Sequence, residues 1–151
     1  MQNLIKFLKS QKVMAIASQD GSELWIANVY IGADEKGNIY FISSKEAKHS
    51  RMILKNPKVA FSMSWFKEGN HQNRKGIQGL GECRIAKDQT EIAEGIKVLY
   101  KNFPDLSSIL NLKWILSNIY GSKIWVLKPN YVKYWDDELY GEDESKEFKF
   151  S

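Results

Sequence analysis

The chain has 151 residues, 43% of them hydrophobic, and carries 22 Lys plus Arg against 18 Asp plus Glu, enough apolar material for one ordinary core. That hydrophobic content with only three prolines excludes a disordered or collagen-like polymer, and the lone Cys83 excludes an intrachain disulfide or a multi-cysteine metal centre. No run approaches the roughly 18 consecutive apolar residues of a membrane-spanning helix, and Lys6 and Lys9 interrupt the apolar residues that a secretory leader would need, so the expectation is a cytoplasmic protein that does not enter a membrane.

Leu4, Ile5, Phe7 and Leu8 follow helical spacing and lead into a β-compatible run from Val13 to Ala17. Turn residues Gln19 to Ser22 precede a strand from Glu23 to Ala33, and Asp34 to Asn38 turn again into Ile39 to Ile42. These three strands read as an antiparallel meander. Ser43 with Glu46 has capping-box spacing, which predicts a helix over about 44–55, closed by Asn56 and Pro57. Val59 to Trp65 is a further strand, and Phe66 to Arg74 reads as a polar loop. A long strand then runs to Ile85, interrupted by Gly76, Gly79 and Gly81, glycines of the kind that mark a bulge, a barrel corner or a close approach to the backbone.

Asp88 and Glu91 form a second capping pair for a helix carrying Ile92, Ile96, Leu99 and Tyr100, which ends near Phe103 and Pro104. Pro104 starts another helical segment through Ile109, Leu112, Trp114, Ile115 and Leu116, stopped by Gly121. Lys123 to Leu127 and Tyr131 to Trp135 read as a strand pair around Lys128, Pro129 and Asn130. About seven strands, joined mostly by tight turns, with two to four helices, favour a mainly β (α+β) antiparallel barrel with helical insertions over a βαβ fold. The expected division is a barrel over residues 1–135 and a loose or partner-dependent acidic tail over residues 136–151.

The charge is unevenly spread. Residues 136–151 contain seven acidic residues and two lysines, a net of −5, which leaves +9 on residues 1–135, and +6 of that falls within residues 45–75. Such a patch suits a phosphate-bearing ligand or a nucleic acid, with plain solubility as the competing explanation. Against nucleic acid, the segment has no RNA- or DNA-reading motif and the tail would oppose binding.

The run from Tyr40 to Trp65, YFISSKEAKHSRMILKNPKVAFSMSW, resembles the pyridoxamine 5′-phosphate oxidase-like family of FMN-binding split barrels: a strand ending in a hydroxyl residue, a short basic helix, then Asn-Pro-x-Val entering the next strand. The resemblance takes in the strand at Glu23 to Ala33, the glycine-interrupted strand around Ile77 to Glu82, and the closing Pro129-x-x-Val132-x-x-Trp135 pattern. It is closer to a small uncharacterised bacterial branch than to the vitamin B6 oxidase. It implies a six- to seven-stranded split barrel that forms a homodimer with two FMN molecules in clefts at the interface. It also implies a phosphate held by Ser43, Lys48 and His49, with Ser44 and Arg51 close enough to join the cradle. A helix N-terminus with a lysine beside it is a physically suitable place for a phosphate. By the same resemblance, the strand bearing Asn28 and Tyr30 runs along the flavin ring; the family's flavin-facing glutamine aligns near Gly76, with Gln78 two positions on as the residue that can donate an amide hydrogen bond, and Trp135 can stack at the flavin edge or support the dimer interface.

Each of these residues also has a plain structural reading. Ser43 can cap the helix, Tyr30 can pack in the core, and Gln78 can be a satisfied glutamine inside the barrel. Arg74 and Lys75 can reach the phosphate or stand solvated, and Cys83 reads as a small buried residue. The chain departs from the oxidase proper in lacking cations on the strand at Ile26 to Ile31, and in carrying Asp136 to Gly141 where the oxidase has its substrate-binding Arg/His signature. Pyridoxamine phosphate is therefore not the expected substrate. The leading expectation is an FMN-dependent oxidoreductase acting on a small redox substrate; the alternative is a carrier, sensor or stress-related protein holding flavin, deazaflavin or haem without turnover. No catalytic acid, base or metal ligand is assigned.

Overall fold

The computed structural model describes residues 1–108 and 121–150; the helical segment expected through Ile109 to Leu116 lies outside them. Helix α1 (Gln2–Ser10) leads into strands β1 (Val13–Asp20), β2 (Glu23–Ala33) and β3 (Ile39–Ser44). Helix α2 (Lys48–Lys55), strands β4 (Lys58–Lys67) and β5 (Asn70–Ile85), and helix α3 (Gln89–Asn102) follow. After a 3₁₀ turn at Pro104–Ser108 come β6 (Ser122–Asp136), a one-turn helix α4 (Asp137–Tyr140) and β7 (Ser145–Lys149). The antiparallel sheet runs β3-β2-β1-β4-β5-β6-β7, and β3 also pairs with β6. Six strands thereby close into a barrel, with β7 continuing beside the second half of β6. This is the α+β architecture expected, an antiparallel barrel from the strand pattern and a split barrel from the resemblance, although the seventh strand is β7 and the two strands expected around Pro129 are both β6.

Period-two alternation places Met14 and Ile16, Val29 and Ile31, Phe61 and Met63, and Val132 and Tyr134 in the barrel interior. Helix α1 adds Leu4, Phe7 and Leu8 to this core and α2 adds Ile53. A smaller cluster lies outside the barrel, where Ile96, Val98 and Leu99 of α3 meet Tyr40, Ile124 and Val126. Two glycines let α3 sit flush: a Cβ on Gly32 would lie 2.6 Å from the Val98 backbone, and one on Gly95 would lie 2.7 Å from Ile124. Asp88 caps this helix by accepting the Glu91 N–H at 2.9 Å. Arg84 holds the Glu91 carboxylate with contacts of 2.5 and 2.9 Å.

The glycines of β5 have distinct causes. A Cβ on Gly79 would sit 2.3 Å from the Phe61 ring, one on Gly76 2.6 Å from the Trp135 ring, and one on Gly81 2.5 Å from the Lys128 carbonyl oxygen. Gly81 also marks the register shift against β6, where Leu80 faces Tyr131 but Gly81 faces Pro129. The expected strand pair around Pro129 is therefore one continuous strand with a bulge at Asn130, a place where the missing proline N–H costs no ladder bond.

Two further expectations are corrected. Helix α2 begins at Lys48, with Ala47 at its N-cap and no side-chain cap; Ser43 and Ser44 stay extended because they pair with Lys123 and Ser122 of β6. The Ser44 hydroxyl instead accepts the Glu46 N–H at 3.1 Å and shapes the turn. The acidic tail is also not loose. Asp136 accepts the Glu138 and Leu139 N–H groups at the start of α4, and the Tyr134 hydroxyl at 2.9 Å. Phe148 of β7 is buried against the core, and Arg74 and Lys75 neutralise the acids, with Arg74 3.3 Å from Asp137 and 2.5 Å from Asp143 and Lys75 3.4 Å from Glu138. Both cations are thereby engaged by carboxylates of the C-terminal segment. Among the described residues no helix is long and apolar enough to cross a membrane.

Candidate functional site

The residues singled out from the sequence gather in two places. Ser43, Ser44, Lys48, His49 and Arg51 meet where β3 ends and α2 begins. The Ser43 carbonyl accepts the Trp125 indole N–H at 3.0 Å, and Trp125 stacks on Phe41 with ring centroids 6.1 Å apart. Ser43 Oγ lies 2.8 Å from His49 Nε2, and the buried Ser50 hydroxyl donates to Ser43 Oγ at 3.2 Å. Burial lowers the His49 pKa below its usual 6.5, which favours the neutral ring. Ser43 Oγ thus joins Ser50 and His49 in one hydrogen-bonded group, its own proton shared between His49 Nε2 and the Ser44 carbonyl 3.5 Å away.

Lys48, at the same turn, is engaged by the start of β2. Its ammonium lies 2.7 Å from Glu23 Oε1 and 4.3 Å from the centre of the Trp25 ring, and the hydrogen bond and charge of Lys48 hold the Glu23 carboxyl below its usual range. Arg51 is exposed on the next turn and adds a weaker favourable field at Glu23. The backbone N–H groups of Lys48, His49 and Ser50 open the helix without a side-chain cap, so this end offers free donors, a hydroxyl and a lysine together.

The second group faces outward from the barrel wall. Asn28 pairs across from Ala15, Ala15 from Ser62, Ser62 from Gln78 and Gln78 from Lys133, forming one row over five strands. Gln78 is exposed, which corrects its reading as a glutamine inside the barrel; the inward neighbour is Ile77, fully buried. Tyr30 is 70% exposed, which corrects its reading as a core residue, and its ring lies 5.3 Å from that of Phe103. Trp135 covers Gly76 and is partly buried.

Along this row lies a shallow trough of about 420 Å³ floored by Ala15, Ala17, Ala60 and Ser62 and walled by Ile26 and Leu80. Leu24, Ile26 and Leu80 beside it are 72%, 65% and 51% exposed. Helix α3 leaves this half of the barrel uncovered, so an apolar sheet face stands open to solvent. Glu23, Trp25 and Ser50 were not picked out from the sequence. Nothing local distinguishes them, because they acquire a role only through contacts with Lys48 and Ser43.

No protein-family profile matches the chain. A UPF0306 protein of Yersinia enterocolitica is 30% identical over 95 residues, 59% of this chain and 60% of that protein. A UPF0306 protein of Haemophilus ducreyi is 23% identical over 135 residues, 88% of this chain and 84% of that protein. The matched part thus spans about 60% of the Yersinia relative's length. Similar solved structures include a haem-binding protein from Mycobacterium smegmatis (TM-score 0.72, 13% identity, 93% of this chain and 53% of that one). The haem storage protein of Vibrio cholerae has a TM-score of 0.64 at 18% identity, over 84% of this chain and 87% of that one. An FAD-binding protein of Mesorhizobium loti has a TM-score of 0.63 at 16% identity, with the same coverages. At these identities the likeness establishes the shared split-barrel fold.

Proposed function

We propose that the protein binds FMN, with its phosphate at the N-terminus of α2, and acts as a flavin-dependent oxidoreductase on a small substrate. The observation that carries this reading is the start of α2, which has no side-chain cap and opens on Lys48 and His49, the latter bonded to the Ser43 hydroxyl and the former held by Glu23. That donor set suits a phosphate: the helix end supplies N–H groups and a partial positive charge, and the lysine adds a full one. FMN, when bound, supplies the electron or hydride transfer. The chain's part is to hold and orient. Ser43, Lys48 and His49 fix the phosphate end, with Ser44 and Arg51 at its margin. Beyond Trp25, β2 leads away from this end toward Asn28 and Tyr30.

The open apolar face supports a homodimer in which a second copy covers the trough and shuts water out of the space along β2, Gln78 and Trp135. The exposed Leu24 and Ile26 beside a floor of small alanines give a second copy apolar surface to bury. A second reading, a carrier or store of flavin or haem without turnover, draws support from the haem-binding descriptions of two structural neighbours.

The absorbance spectrum of the purified protein, followed by a fluorescence titration with FMN, tests the reading. Lys48→Ala is expected to weaken FMN by about tenfold or more, the loss of one charge-assisted hydrogen bond, whereas Lys146→Ala leaves it unchanged. Failure to take up FMN, or equal effects of the two substitutions, refutes it. Uptake of haem in preference to FMN supports the second reading, and reduction of bound flavin by NADH or NADPH supports the enzyme over the carrier.

A further inference from the structure

The Ser43 hydroxyl has one proton to give and two lone pairs to offer. One lone pair accepts the Ser50 hydroxyl at 3.2 Å, and Ser50 is fully buried, so that bond has no competitor in water. The other close partner is His49 Nε2 at 2.8 Å, with the Ser44 carbonyl a weaker third at 3.5 Å. What Ser43 does with its proton therefore depends on the charge of the His49 ring. A neutral ring protonated at Nδ1 accepts the Ser43 proton at Nε2. A charged ring donates from Nε2, so Ser43 Oγ receives two hydrogen bonds and its own proton must turn to another acceptor.

The surroundings leave a charged ring without a counter-charge. Burial disfavours it, and no charged neighbour contributes to that shift. From β3 the ring meets Phe41, 6.3 Å away between centroids, and the Ser43 hydroxyl. The charged groups about the turn are Lys48 and Arg51 on α2, Lys123 on β6 across from Ser43, the exposed Lys45 and Glu46 before α2, and Glu23 on β2, whose carboxylate is engaged by Lys48. Cations outnumber acids in this set. A dianion at the start of α2 supplies the negative charge that the chain does not, and it also accepts the proton that Ser43 releases.

We propose that His49 is a positioning residue for the Ser43 hydroxyl, and that a dianion binding at the start of α2 takes up a proton on the His49 ring. This rests on the α2 site of the proposed function and states how that site is regulated. The sign follows from linkage: the ring titrates at higher pH with the anion bound than without it, so affinity rises as pH falls between those two values. The phosphate of FMN acts in the opposite direction, since it loses its second charge below about pH 6, and His71, the chain's other histidine, lies on the β4–β5 hairpin.

The test uses the full chain. FMN affinity is measured by fluorescence from pH 8 to about pH 6.5, and the side-chain nitrogen signals of His49 are titrated by NMR in chloride and in sulfate at equal ionic strength, sulfate being a dianion throughout this range. FMN is expected to bind several-fold to about tenfold tighter at the lower pH, a rise in the ring pKa of about one unit or more, with the slope lost in His49→Gln and kept in His71→Gln. Sulfate is expected to move the His49 titration to higher pH. FMN that binds with no dependence on pH, or with the same slope in His49→Gln, overturns the proposal and leaves the cofactor reading standing. A sulfate-shifted His49 in a chain that takes up no FMN upholds the proton linkage and overturns the cofactor reading. Neither FMN uptake nor a sulfate shift overturns both.

Discussion

Replacing Ser43 with alanine removes one hydroxyl that serves two partners. In the native chain it accepts from Ser50, whose side chain is fully buried, and contacts His49 Nε2 at 2.8 Å. The substitution strands the Ser50 donor where water cannot reach it, while the half-buried His49 ring keeps access to solvent. Stranding one buried neutral donor costs about 1–3 kcal/mol, which for a chain of this size lowers the melting temperature by about 3–10 °C. Urea unfolding should show a lower midpoint with an unchanged slope, since the exposed surface is the same. Adding Ser50→Ala removes the stranded group, so the double variant should be more stable than the sum of the two single losses by about 0.5 kcal/mol or more. A single-variant loss below about 0.5 kcal/mol, or strict additivity in the pair, would refute the reasoning.

Gly79→Ala forces a Cβ to within 2.3 Å of the buried Phe61 ring; overpacking of about 1–3 kcal/mol should exceed the backbone gain of about 0.4–1 kcal/mol, so thermal stability falls and Phe61→Leu in the same chain restores part of it. The lowered His49 pKa makes the unfolded chain take up the proton first, so stability is retained above pH 6.5 and declines as pH falls from 6.5 toward the lower folded value. Urea midpoints between pH 7.5 and 5.5 check this slope, and its persistence in His49→Gln would assign it elsewhere. Glu23→Gln frees Lys48 from its carboxylate partner and should tighten FMN binding, most visibly at low salt; weaker binding would show that Glu23 positions Lys48 rather than competing for it.

Local signals in the sequence carried far along the barrel. Turn residues and β-rich runs located the six barrel strands, with β6 read as two pieces, but Phe66 to Arg74, read as a loop, is the end of β4 and the start of β5, and β7 lies in the stretch read as a loose tail; Asp88 with Glu91 marked the start of α3 because a cap is a contact over three residues. The same rule failed at Ser43 with Glu46. Pairing with Ser122 and Lys123, remote in sequence, keeps Ser43 and Ser44 extended and moves the helix start to Lys48. The side on which Gln78 lies was hidden for a related reason. Gly76, Gly79 and Gly81 carry no side chains, so they erase the alternation that would distinguish inside from outside.

The amino-acid order by itself determined a mainly β domain with a basic segment at the short helix and acids at the C-terminal end, since periodicity, turn chemistry and charge are properties of neighbouring residues. Closure of β3 on β6, the folding of the acidic end onto Arg74 and Lys75, and the choice of which barrel face α3 covers were decided only in the tertiary structure. These depend on contacts between segments tens of residues apart, where packing and pairing outweigh local preference.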